Sequence, residues 1–257
     1  MSKDLVSIIM LSHNMGRYVK ESVESILAQT YQNWELLFMD DSSSDGTIRR
    51  VMQLKGDDER ILVNHNVKTR GTAETLNAAL RMAKGRWIAF LKAGDLWEPE
   101  KLERQIAFME RHHYAFSYTK FRLIDRLSRD RGIVMGGLRK VKRRDLLKCC
   151  WMGYLTVMYD AQVVGPLQVK RLEDSNDFAL WLEVSKQVNC YLLAECLASQ
   201  REVHHLLSPF PVFDKIKWRY EVFHQVEGDV SIVAFARALR NLYGGFRKKL
   251  RFSERKH

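Results

Sequence analysis

In the first hundred residues, short apolar runs alternate with stretches of helical periodicity, and each run stops abruptly at polar or small residues. The runs are 5–11 (LVSIIML), 34–39 (WELLFM), 61–63 (ILV) and 87–91 (WIAFL). Between them, 18–29 places Val19, Val23, Ile26 and Leu27 at helical spacing, Ser44-Asp45-Gly46-Thr47 gives a turn and a helix start, and 73–83 reads as a further helix. Continuous rather than alternating apolar runs are what strands buried on both faces require, and strand–helix alternation at this pace produces βαβ units. The expected fold class is therefore α/β, a Rossmann-like, mostly parallel sheet flanked by helices. Such sheets bind ligands outside the carboxyl ends of their strands. That rule singles out four places: residues 11–14, Asp40-Asp41, the Arg70-Gly71 turn, and residues 92–95.

Downstream, a helix is expected from Pro99 to about Arg111, a strand over 115–122, an amphipathic helix over 177–188 and a basic amphipathic helix over 231–249. Pro209 and Pro211 interrupt the chain before that last helix, so residues 1–205 read as the main domain and 206–257 as a helical tail. Within the main domain, 1–98 forms one half and 99–205 the other. The charge is lopsided, 42 Lys+Arg against 31 Asp+Glu for a net of +11, which favours an anionic partner. Helix-turn-helix, zinc and RNP patterns are missing, so nucleic acid is not the expected partner. The four cysteines, Cys149, Cys150, Cys190 and Cys196, have no CxxC spacing and read as reduced cytoplasmic thiols. No stretch is both long and apolar enough to span a bilayer. The expected location is cytoplasmic.

Four strings carry candidate chemistry. MDDSSSDGT puts Asp40 and Asp41 at the end of a buried strand, where a carboxylate can accept from a nucleobase or a ribose; it also reads as a turn with capping acids. Ser12-His13-Asn14 follows the first strand, and an imidazole there could stack on a base. FLKAGDLWEPEKL places Asp95 between a strand and a helix start, suited either to a divalent cation bridging a diphosphate or to the helix dipole. RLEDSNDFALWLEV puts Asp177 in the first turn of a helix, where it can serve as a general base or a cap.

Taken in order, VSIIMLSHN, LLFMDDSSSDGT, GRWIAFLKAGDLWEPEKLERQ, YLTVMYD and NDFALWL resemble the family 2 glycosyltransferases of the GT-A fold. The likeness is nearest to the small bacterial enzymes that build teichuronic acid, capsule or O-antigen polysaccharides, and it covers nearly the whole chain. It implies an inverting transfer from a nucleotide-sugar donor, a UDP-sugar, to a lipid-linked or oligosaccharide acceptor. It implies that Ser12 and His13 line the uracil site, that Asp41 reads the base, and that Asn14, Gly71, Asn77, Lys92 and Gly94 lie along the donor. By the same resemblance Asp95 is the metal-ligating acid for Mn²⁺ or Mg²⁺, and Asp177 the catalytic base.

The departures from the family pattern bear on that assignment. Where FLDADD is usual this chain reads Phe90-Leu91-Lys92-Ala93-Gly94-Asp95, with two acids gone and a lysine at one position. Leu76 stands where arginine is frequent, while Asn77 is kept. Lys92 could supply positive charge that a fuller acid cluster would recruit as metal. The competing expectation is a degenerate sugar-nucleotide-binding protein without transferase activity. His204 and His205 are further candidates for diphosphate contact. In the tail, Arg237, Arg240, Arg247, Lys248, Lys249, Arg251, Arg255 and Lys256 lie among Ile232, Val233, Phe235, Leu239, Leu242, Tyr243 and Phe246. Such a helix can lie in an anionic interface, which would place the protein on the inner face of the plasma membrane, or it can pack on its own domain or a homodimer partner.

Overall fold

The computed structural model describes residues 4–172, 174, 176–202 and 212–255. The chain opens with β1 (Val6–Ser12), α1 (Val19–Leu27), β2 (Trp34–Asp40), α2 (Thr47–Lys55), β3 (Ile61–His65), α3 (Thr72–Met82) and β4 (Trp87–Lys92), the alternation expected from the apolar runs. It continues through β5 (Leu96–Trp97), α4 (Lys101–His112), β6 (Phe116–Ile124), β7 (Asp130–Met135), β8 (Lys140–Val141), α5 (Arg143–Leu146), β9 (Met158–Asp160) and α6 (Ala161–Val164). The last elements are α7 (Asn176–Val184), β10 (Cys190–Arg201), α8 (Val212–Glu221), α9 (Ser231–Phe252) and β11 (Ser253–Arg255).

One mixed sheet runs β11-β7-β6-β9-β4-β1-β2-β3, with β10 pairing β5, β6 and β8 off this path. The β4-β1-β2-β3 half is parallel, and β9 joins it to the second half through antiparallel pairs with β4 and β6. Register aligns Ser12 with Asp40 and Leu11 with Lys92, so β1, β2 and β4 end at one level. At strand spacing, Asp40 and Lys92 are therefore about 10 Å apart along that edge.

The side-chain period of two splits each central strand between two apolar layers. Ile8, Met10, Leu36, Phe38 and Leu91 pack with Val19, Val23 and Leu102 on one face; Ile9, Leu37, Met39, Ile88 and Phe90 pack with Leu76, Phe178 and Trp181 on the other. Each fully buried Leu, Ile or Phe contributes about 1.5–3 kcal/mol.

Three features depart from expectation. Helix α7 ends at Val184, not 188, because the chain tightens to i→i−3 bonds (Lys186 N–H to the Glu183 carbonyl, Gln187 N–H to that of Val184) before turning into β10. Strand β10 gave no periodic signal because bulges between Leu193 and Cys196 and between Cys196 and Ala198 break its alternation. The C-terminal segment is more than a tail. Val222, Phe223, Ala234 and Ala238 belong to the main core, and β11 pairs antiparallel with β7. Among the described residues, no helix is long and apolar enough to cross a membrane.

Candidate active site

The two acids that end β2 have different tasks. Asp40 is buried and accepts from Ser43 (N–H at 2.8 Å, hydroxyl at 2.5 Å) and from His65 Nδ1 at 2.9 Å, which ties the β2 and β3 ends together. Asp41 faces the other way. Its Oδ1 accepts the Arg70 N–H at 2.8 Å and Asn66 Nδ2 at 3.0 Å, and its Oδ2 accepts the Gly71 N–H at 3.0 Å. Burial opposes ionisation here, but these donors and the nearby His13 hold the carboxyl below its ordinary value. Gly71 sits at φ +89°, a backbone state that favours glycine, and this aims its N–H at the acid before α3 begins.

The β1 end supplies the neighbouring wall. Ser12 accepts the Asp41 N–H on its carbonyl at 2.9 Å, while its own buried hydroxyl has no partner among the described residues. His13 donates from Nδ1 to the Asp41 carbonyl at 2.7 Å, leaving Nε2 toward the Asn14 amide at 3.2 Å. Asn14 adopts φ +50° and bonds Ser43 and Ser44, so it shapes the turn. A cavity of about 550 Å³ opens at the β3 end, lined in part by His65, Asn66 and Arg70, the last two of which bond Asp41. Asn77 lies outside the Asp41 cluster: its amide exchanges two 2.8 Å bonds with the Val169 backbone and pins α3 to the segment before α7.

At the β4 end, Lys92 is exposed and its Nζ lies 5.1 Å from the centroid of the Tyr154 ring. Gly94, at φ +111°, donates its N–H to Ser22 Oγ at 2.8 Å. Asp95 is buried, and its Oδ1 accepts the Arg201 N–H at 3.0 Å. Burial pushes its carboxyl up to about 6, against the pull of that N–H and of the Lys92 and Arg201 charges. Arg201, from the end of β10, has a fully buried side chain. It bonds the Gly94 carbonyl at 2.8 Å, Ser128 Oγ at 2.9 Å and Glu21 at 2.8 Å, and stacks 4.7 Å from the Tyr18 ring.

These residues fit a divalent cation poorly. Asp95 is buried with Oδ1 engaged by Arg201, Ala93 and Gly94 offer no side-chain ligand, and no group of three His, Cys, Asp or Glu among the described residues could hold a metal. His204 and His205 lie outside the described residues.

Asp177 opens α7, half-buried, with its Oδ1 accepting the Phe178 N–H at 2.8 Å. Its charge reaches two groups buried beside it. The Tyr154 phenol is raised by burial first and by Asp177 second, and the Cys150 thiol is pushed up to about 12 in the same order. Tyr154 thus neighbours Lys92 and feels the charge of Asp177, and its buried hydroxyl has no hydrogen-bond partner among the described residues. Sequence reasoning missed Tyr154 and Arg201 as parts of the site, since nothing local marks either one. In the basic stretch 139–148, Arg143 is structural: it donates to the Leu182 carbonyl at 2.8 Å and pairs with Glu227.

Comparison with known proteins gives the family and the fold. The model of Glycosyl transferase family 2 matches residues 7–150. The putative teichuronic acid biosynthesis glycosyltransferase TuaG of Bacillus subtilis is 36% identical over 207 residues, covering 80% of this chain and 82% of that protein. The UDP-Glc:alpha-D-GlcNAc-diphosphoundecaprenol beta-1,3-glucosyltransferase WfgD of Escherichia coli is 39% identical over 188 residues, 72% of this chain and 71% of its own. Among solved structures, S. aureus TarS 1-349 in complex with UDP-GlcNAc superposes with a TM-score of 0.72 at 17% identity, over 95% of this chain and 74% of that one. The mannosyltransferase PcManGT of Pyrobaculum calidifontis, in complex with GDP-Man and Mn²⁺, gives 0.61 at 15% identity, over 95% and 72%.

Proposed function

The chain belongs to glycosyl transferase family 2 and has the GT-A fold, and from that premise we propose that it moves a sugar, with inversion, from a UDP-sugar to a lipid-linked glycan acceptor in bacterial surface polysaccharide synthesis. The observation that carries this reading is the common edge of β2, β1 and β4, where the Asp41 cluster, the unpartnered Ser12 hydroxyl and Lys92 stand in line. Asp177, in the first turn of α7, is near enough to Tyr154 to raise its phenol, and Tyr154 neighbours Lys92 on that edge. The diphosphoundecaprenol-linked sugar named for WfgD supports the acceptor class, and the teichuronic acid biosynthesis named for TuaG supports the polysaccharide role.

The uracil ring sits against Ser12 and His13, with Asp41 positioning its polar edge. Asp177 takes the proton of an acceptor hydroxyl as its oxygen attacks the anomeric carbon from the face opposite the nucleotide. The bond from that carbon to the diphosphate oxygen breaks, and its electron pair leaves with the nucleoside diphosphate. One base suffices, and no covalent intermediate forms.

Helix α9 supports an acceptor held at a membrane. It packs inward through a stripe of small residues, Ala234, Ala238 and Asn241, and turns its large apolar residues outward. Ile232, Phe235, Leu239, Tyr243, Phe246 and Leu250 form that outer stripe, from 43% exposed at Leu239 to 84% at Ile232. Exposed Arg240, Arg247 and Arg251 each follow one of these residues, the charge an anionic bilayer would complement. Sedimentation with phosphatidylglycerol vesicles, absent with phosphatidylcholine and lost in Phe246→Asp, is the expected result. A solution dimer that ignores both vesicles would reassign the stripe to a second copy.

The donor reading is tested by the heat-denaturation midpoint with UDP-, GDP-, dTDP- and CMP-sugars, followed by transfer to a polyprenyl-diphosphate-linked sugar. A ligand at 100 times its dissociation constant adds about 2.7 kcal/mol, well within detection. Folded protein that no nucleotide sugar stabilises would sink the proposal; binding without transfer would favour a non-catalytic sugar-nucleotide binder.

A further inference from the structure

We infer that the Lys92 ammonium is this enzyme's own cation for the donor diphosphate, occupying the role that a divalent metal would otherwise fill. The inference rests on the nucleotide-sugar reading above. Lys92 is the last residue of β4, at the level of Leu11 on β1 and one residue short of the Ser12–Asp40 register pair. A nucleotide whose base lies at Asp41 and whose sugar faces Asp177 must carry its phosphates past that point. Lys92 is exposed there and belongs to none of the ion pairs found among the described residues; its Nζ lies 5.1 Å from the centroid of the Tyr154 ring. A compact ammonium with three donors is a strong phosphate ligand that needs no second protein group to hold it.

The acid that might have recruited a metal is already engaged. Asp95 Oδ1 is bonded to the Arg201 N–H, and the guanidinium of Arg201 closes over Gly94 from behind. At φ +111° Gly94 is in a state that an acidic side chain rarely adopts, so the backbone itself disfavours restoring a carboxylate there. Lys92 is thus the exposed, charged side chain at the end of β4. The Tyr154 ring lies beside the ammonium, and its phenol feels the Asp177 carboxylate. That arrangement lets one site hold a cation for the leaving group and an unpaired base for the acceptor.

The test is calorimetric titration with UDP, in EDTA and in Mn²⁺, of the wild type, Lys92→Arg and Lys92→Met. The expected result is wild-type affinity unchanged by EDTA, retained in Lys92→Arg and reduced about tenfold or more in Lys92→Met, the loss of one charge-assisted hydrogen bond. Unchanged melting of Lys92→Met without ligand excludes misfolding as the cause. Wild-type binding that EDTA abolishes and Mn²⁺ restores would overturn the inference, as would full affinity in Lys92→Met, and either would leave the donor reading standing. No binding of UDP by the wild type under either condition would remove the UDP-donor reading and this inference together.

Discussion

Arg201 donates its backbone N–H to Asp95 Oδ1 at 3.0 Å and sends its guanidinium to the carbonyl of Gly94, the residue just before that acid. Asp95 is therefore a fastener between the β4 edge and β10. Its folded carboxyl is raised by burial to about 6 from an unfolded value of 3.8, so the folded state binds the proton more tightly. The stability this confers is complete below about pH 4 and is lost as pH rises through 6. Asp95→Asn keeps an acceptor for Arg201 but cannot ionise. Urea titrations between pH 4 and 7 should show a flatter pH dependence and a gain of up to about 2 kcal/mol at pH 7.

Asp41 has the opposite sign. Its carboxyl is held below the ordinary value, so the stability it adds is present above about pH 4 and is lost as pH falls through the folded value. Asp41→Ala strands the N–H groups of Arg70 and Gly71 and the Asn66 amide. Thermal melts at pH 7 should show a loss of about 1–3 kcal/mol, and UDP affinity should fall with it.

Asp177 makes one local bond, to the Phe178 N–H, and no ion pair is found for it among the described residues. Asp177→Asn should keep donor affinity within a few-fold and fold normally. Sugar transfer should drop by about 10²–10⁴-fold, the usual contribution of general base catalysis. An equal loss in donor binding would instead make Asp177 a donor ligand.

Adjacent glycines in α9 offer a paired test of how that helix is seated. A Cβ at Gly244 would run into the Lys148 carbonyl and crowd Cys149, whereas one at Gly245 meets nothing within 4 Å. Gly244→Ala should cost about 1–3 kcal/mol by overpacking. Gly245→Ala should add up to about 1 kcal/mol through helix propensity. Chemical denaturation of both variants checks the pair.

The parallel half of the sheet was legible because its strands are buried on both faces, a condition that leaves continuous apolar runs in the sequence. The β10 strand was not, since its two bulges scramble the inward-outward alternation on which a reading depends. The site divides the same way. Asp41 and Asp177 follow from their places at element ends, but whether an acid faces solvent or protein depends on contacts far off in the chain. Asp95 meets its partner 106 residues away, and Asn77 is engaged by Val169 rather than by the Asp41 cluster. No local pattern encodes either pairing.

Strand β11 follows directly on α9 and is hydrogen-bonded to β7, while the helix presses on Lys148 and Cys149 near Gly244. A rod fastened at two points cannot swivel on its own. A bilayer gripping its outer stripe would therefore grip the whole sheet, fixing the crevice at one height above the lipid, as a gauge block sets a cutting tool. Acceptors whose reactive hydroxyl stands nearer or farther from the membrane than that height would be passed over, giving selection by reach without any contact to the sugar itself.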